Sequence, residues 1–289
     1  MKEFGISTRL FQSEPLTVDV LERFRKANFR QIEIFGNRPH FNYHERSRVR
    51  SVARWFEQNE APAPSLHLPF QEPYSRDRAV DLPLFAPEER LRQDAIDELK
   101  RCMEIVEFTP LAYTVLHLGY PRQAFNPLLF EYAYAAIVTV QKLSGAKVLI
   151  ENTMNEISTM ERILDFIAVS QLQGVGVCYD LGHGFLDEPQ PIPFDRIDAI
   201  QVNDNDGGFD QHLWPFDGRI DWPAFVDKLT VSKFKGALLF ELADGNLGKQ
   251  GEVIERLNEM IFRAEESIEE FRLRYKIRIS RNPDSEESE

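Results

Sequence analysis

Short apolar runs recur along this chain, and many of them close on a side chain that can bind a metal ion. Val175 to Tyr179 stops at Asp180, and Leu181, Gly182 and His183 follow. The same ending recurs at Ser65-Leu66-His67, Val115-Leu116-His117, Leu149-Ile150-Glu151, Ile200-Gln201 and Leu239-Phe240-Glu241. Short apolar runs bounded by turn residues read as buried strands. Eight are expected, over residues 4–7, 29–35, 63–68, 113–118, 147–151, 175–180, 199–203 and 237–242. Helical spacing falls between them. Val20, Leu21 and Phe24 share one face of a helix begun at Thr17, and further helices are expected over 46–58, 87–107, 128–143, 158–169 and 220–229. A long final helix carries Val253, Ile254, Leu257, Ile261 and Phe262. Residues 69–87, rich in Pro, Arg and Asp, read instead as a long loop of the kind that often serves as a lid.

Eight strands alternating with helices, without a linker, predict an α/β fold: a single-domain (β/α)8 barrel over residues 1–275. Residues 276–289 form an acidic tail, Ser- and Glu-rich from Asn282 and expected to be disordered. A doubly wound open sheet is the competing architecture. The strand ends decide between them, because only a closed barrel brings the tips of so many strands to one face.

Composition narrows the setting. A chain of 289 residues with 43% hydrophobic content suits one large domain. A net charge of -13 disfavours a general nucleic-acid binder. Cys102 and Cys178 fall in an expected helix and strand, and read as core residues of a reduced, cytoplasmic protein. No leader or membrane-spanning run is evident, and a homo-oligomer is compatible with the chain.

Burying an unpaired carboxylate costs several kcal/mol, on the order of a whole side chain's hydrophobic gain. Glu151, Asp180 and Glu241, joined by Gln201, would stand at the tips of strands five to eight. Three carboxylates in one cavity stay ionised only beside positive charge. A divalent cation supplies it: Mn or Mg for oxygen donors, with Zn or Co favoured as imidazole is added. The duller alternative is a structural hydrogen-bond network plugging the barrel mouth. His67, His117, His183 and His212 would bind substrate hydroxyls or further metal, the latter with Asp210, two residues from His212. His40 and His44 read as surface loop residues, and Asp204, Asn205 and Asp206 as a solvated turn. Arg9, Arg76 and Arg78 lie in loops on the tip side, where surface arginine is the plainer reading than contact with an anionic substrate.

The motifs LHLP (66–69), LHLG (116–119), IENT (150–153), YDLGH (179–183), IQVND (200–204), DQH (210–212), GRIDW (218–222) and LFEL (239–242) together resemble the xylose isomerase-like barrel superfamily. That group holds sugar isomerases and epimerases, hydroxypyruvate isomerases, inosose dehydratases and the endonuclease IV-type nucleases of AP endonuclease family 2. The resemblance implies a metal held by Glu151, Asp180, Gln201 and Glu241. It implies isomerisation or epimerisation of a sugar-like small molecule through a cis-enediolate, with the two glutamates as acid and base. Glutamine at 201, where most members have histidine, matches the hydroxypyruvate isomerase-like branch. The resemblance also implies an alternative, a three-zinc phosphodiesterase acting at abasic DNA sites. Its ligands would be His67, His117, Glu151, Asp180, His183, Asp210, His212 and Glu241. A barrel that binds metal or sugar without turnover is the non-enzymatic possibility.

Overall fold

The computed structural model describes residues 2–75, 78–187, 192–243 and 245–281. Among these residues, eight parallel strands close into a barrel: β1 (Gly5–Ser7), β2 (Ile32–Phe35), β3 (Ser65–His67), β6 (Tyr113–His117), β7 (Lys147–Glu151), β8 (Val175–Asp180), β9 (Ala199–Val202) and β10 (Ala237–Phe240). An antiparallel hairpin, β4 (Gln71–Ser75) and β5 (Arg78–Asp81), follows β3 and stands outside the barrel. The helices are α1 (Val18–Lys26), α2 (Arg46–Gln58), α3 (Glu89–Cys102), α4 (Leu128–Ser144), α5 (Met160–Ser170), α6 (Leu181–Leu186), α7 (Trp222–Ser232) and α8 (Gln250–Arg281). The (β/α)8 expectation holds. Among the described residues no helix is long and apolar enough to cross a membrane.

Alternation along the strands creates two cores. Ile150, Val177, Ile200 and Phe240 face outward, where the large hydrophobic core packs strands against helices. Val115, Leu149, Cys178 and Ala199 form a small separate cluster inside the barrel. Side chains two residues apart on a strand share a face. His117, Glu151, Asp180 and Gln201 therefore follow that inner cluster towards the C-terminal mouth. Buried stripes dock the helices, for example Val20, Leu21 and Phe24 of α1 and Val49, Val52, Ala53 and Phe56 of α2. Asp221 caps α7 by accepting from Ala224 N–H at 3.0 Å.

Several expectations change. The 69–87 segment is a hairpin over much of its length rather than an open loop. Arg76 lies outside the described residues. β2 begins at Ile32, since Phe29 N–H is taken by Phe24 O at the end of α1. The helix expected to reach residue 107 tightens to a 3-10 turn at Met103–Glu107. α8 runs to Arg281, and the tail from 282 lies outside the described residues.

Candidate metal centre

Each functional side chain is delivered by a strand end. Asp180 closes β8 and is at once the N-cap of α6, accepting from His183 N–H at 2.7 Å through Oδ1. This fixes His183 in the short helix α6. Asn203 Nδ2 donates to Asp180 Oδ2 at 2.6 Å. Gly182 is required here, because an added Cβ would lie 1.9 Å from Asn203 Oδ1. The ligand atoms of Glu151, Asp180 and Glu241 lie within 4.8 Å of one another, and all three side chains are fully buried. Gln201 is paired in register with Asp180 on one side and Leu239 on the other, and is 1% exposed.

Imidazoles ring these carboxylates. His67 Nε2 lies 3.0 Å from Glu151 Oε2 and 3.9 Å from Glu241 Oε1. His117 Nε2 is 3.1 Å from the same Glu151 oxygen, and His183 Nδ1 is 3.2 Å from Glu151 Oε1. Asp210 Oδ2 sits between His183 Nε2 at 3.3 Å and His212 Nε2 at 3.0 Å. Two further donor groups therefore exist, His67 with His117 and Glu151, and Asp180 with His183 and His212.

Burial and mutual repulsion set the protonation of these groups. Burial pushes Asp180 up to about 6, helped by Glu151 and Glu241 and opposed by His183 and His212. Glu33, inside β2 and wholly buried, is pushed by burial up to about 8. Burial works against charge on His67, but its hydrogen bond to Glu151 and the charges of Glu151, Glu241 and Glu33 outweigh it and raise His67 to about 9. Burial likewise opposes ionisation of Glu151, yet the charge of His117 and hydrogen bonds from His117, His183 and His67 hold it well below the usual carboxylate range. Both carboxylate oxygens of Glu241 and the amide oxygen of Gln201 are buried with no hydrogen-bond partner. Buried acceptors left unpaired on converging carboxylates are what a cation would satisfy. The residues present fit a divalent ion.

A cavity of about 200 Å³ opens above these groups. His117, His183 and Asp210 line it, together with Arg9, Phe35 and Phe70. His67 and His212, expected to bind substrate or further metal, are buried, with their Nε2 atoms on Glu151 and Asp210.

Residues 21–265 match the sequence profile of the xylose isomerase-like TIM barrel family. The chain belongs to that family. An uncharacterized protein of Sinorhizobium fredii is 27% identical over 196 residues, covering 61% of this chain and 62% of that protein. This chain thus spans less than two thirds of that relative. An uncharacterized protein of Methanocaldococcus jannaschii is 24% identical over 257 residues, covering 83% of each. Among solved structures, a D-tagatose 3-epimerase-like protein superposes with a TM-score of 0.69 at 20% identity, covering 92% of this chain and 100% of its own. The D-allulose 3-epimerase of a Methylomonas species, in complex with D-allulose, gives 0.63 at 15% identity, covering 94% and 97%. At such identities the structures establish a shared fold.

Several side chains read from the sequence as surface or solvated lie beside these groups or in the frame around them. Arg9, read as surface, stands in the 3-10 turn Thr8–Phe11 after β1, its side chain 15% exposed and its Nη1 3.6 Å from Glu241 Oε1. Asp204 and Asn205, read as solvated, are wholly buried. Asp204 accepts from Phe216 N–H, Ile220 N–H and Trp222 Nε1, and so knots the loop that carries Asp210 and His212. Asp206 is exposed as expected. His40, also read as surface, is 2% exposed with Nδ1 2.6 Å from Glu14 O, whereas His44 is exposed and paired with Glu98. Asn152 and Asn203 do carry a local signal, each being a polar side chain directly after a strand tip.

Proposed function

We propose that this protein is a divalent-metal-dependent isomerase or epimerase of a sugar or small hydroxycarbonyl compound. One observation carries the reading: Glu151, Asp180 and Glu241 converge, buried, beneath a cavity of about 200 Å³. That is below the roughly 300–1,000 Å³ of sites for drug-sized ligands, and suits a molecule of a few carbons. Glu151, Asp180, Gln201 and Glu241 would hold the ion, which could be Mn, Mg, Co or Zn. When bound, such an ion supplies the Lewis acidity that makes a C–H beside a carbonyl removable.

The chain's own groups do the proton work. Glu151 takes the proton from carbon on one face, and Glu241 returns one on the other. His67, His117 and His183 keep Glu151 ionised. His117 and His183, in the cavity wall, bind substrate oxygen, while His212 holds Asp210 in place. Solved relatives described as tagatose 3-epimerase-like, D-allulose 3-epimerase and L-ribulose 3-epimerase support a sugar substrate. Protein loaded with Mn or Co, incubated in deuterated water with ketoses, hydroxypyruvate and inosose, is expected to place deuterium on the carbon beside the carbonyl. No incorporation with any of them contradicts the reading.

A second reading, phosphodiester cleavage at abasic DNA, is favoured by the three donor groups around Glu151 and Asp180. It predicts three zinc ions per chain and nicking of an abasic duplex. The net charge of -13 weighs against it. So does the cavity wall, where Arg9 is the sole lysine or arginine among the described residues.

A further inference from the structure

The β4–β5 hairpin rises from the barrel mouth and returns to it, with Gln71 directly opposite Asp81. Its base is fixed. Asn37, 8% exposed, accepts through Oδ1 from both Phe70 N–H at 2.9 Å and Gln71 N–H at 3.2 Å. Leu82 N–H, just past the end of β5, donates to Phe70 O at 2.8 Å. The Phe70 ring stacks on His117, centroids 4.3 Å apart and planes 19° apart, and meets His67 and Phe35 edge-on. Phe70, Gln71 and Asp81 all line the cavity. Gln71 Nε2 lies 3.5 Å from Asp81 Oδ1.

The cavity therefore has two chemically different ends. His117, His183 and Asp210, which adjoin the buried carboxylates, line one part of it. An amide, a carboxylate and an aromatic ring form its rim, whose backbone is held by Asn37, just past the end of β2, and whose ring packs on His117. A ring face takes C–H surface, while an amide beside a carboxylate offers both donors and acceptors to hydroxyl groups. The geometry points to the hairpin base as the part of the site that reads the far end of the substrate. Phe70 carries the C–H face of a polyhydroxylated chain, and the Gln71–Asp81 pair binds hydroxyls remote from the carbonyl. A carboxylate at that position repels a terminal phosphate, so the substrate class is an unphosphorylated sugar. This assignment rests on the isomerase or epimerase reading.

Deuterium exchange is compared for a ketohexose and for dihydroxyacetone, which has no remote hydroxyls to offer. Asp81→Ala and Gln71→Ala are expected to lower the ketohexose-to-dihydroxyacetone ratio of exchange rates at least fivefold. Calorimetry is expected to find a non-reacting hexitol bound at least fivefold more weakly by both variants, at unchanged metal content. A smaller change in either quantity, in a parent protein that exchanges, overturns the assignment and leaves the isomerase reading standing. A parent protein inactive on every substrate overturns both.

Discussion

The side chain of Asn152 adds one rung to the barrel beside Asp180. Its amide nitrogen donates to Asp180 O at 3.0 Å, and its carbonyl oxygen accepts from Asp180 N–H at 2.7 Å. Glu151 pairs in register with Cys178, so the strand ladder of β7 and β8 stops short of Asp180. Asn152 continues it with a side chain and fixes the backbone from which the Asp180 carboxylate projects. Asn152 O in turn meets His183 Nδ1 at 2.9 Å. One asparagine thus orients both a carboxylate and an imidazole of the centre.

Asn152→Ala leaves two buried main-chain groups of Asp180 without partners. Each such group costs about 1–3 kcal/mol. Loss of the orienting contact is expected to weaken metal binding roughly 10–100-fold. Urea unfolding and metal titration measure the two effects separately. Full metal affinity in the variant would remove Asn152 from the positioning role.

Glu151→Gln and Glu241→Gln are each expected to slow deuterium exchange by about 10²–10⁴-fold, the usual worth of a general acid or base. The double variant is expected to lose little more than the worse single one, because residues acting as one unit are not additive. Single-turnover exchange followed by mass spectrometry reads both. Exchange near the parent rate in either single variant assigns the proton work elsewhere.

Metal binding displaces protons from donors that hold them in the ion-free protein. Asp180 sits at about 6 in that state, so below pH 6 its proton competes with the ion. Affinity is expected to fall as pH is lowered from 7 to 5, by up to about tenfold per unit for one displaced proton. Calorimetric titrations across that range test this, and a flat profile contradicts it.

Away from the centre, Glu98 sets an acid-side dependence of stability. Burial raises its carboxyl, but hydrogen bonds from His44 and Tyr43 and the charges of His44 and Arg38 outweigh it and leave the group below its ordinary value. A carboxyl lowered in the folded state stabilises fully above its unfolded pKa of about 4.3, and loses that contribution as pH falls through the folded value. Glu98→Gln is expected to lower Tm at pH 7 and to differ less from the parent below about pH 4. Thermal unfolding at both pH values checks the sign.

The barrel and its carboxylates were legible in the sequence because burial penalises charge. A carboxylate that ends an apolar run, as Asp180 and Glu151 do, demands a partner wherever the strand ends. Arg9 carried no such mark, since its place at the mouth depends on the 3-10 turn that folds it over Phe35, with Cζ 5.3 Å from the ring centre. Asp204 and Asn205 resemble a solvated turn locally. Partners 12 to 18 residues further on bury Asp204, and no local pattern encodes them. His40 is fixed by Glu14 O, 26 residues upstream. The hairpin was hidden by Pro73 and by the lack of apolar alternation in Gln71 to Ser75.

Elemental analysis of the purified protein, after saturation with Mn, Co or Zn and removal of free ion, tests the central claim most directly. One divalent ion per chain is expected, and Asp180→Asn is expected to abolish it. A protein that retains no ion contradicts the account, and three zinc ions per chain favour the nuclease reading instead.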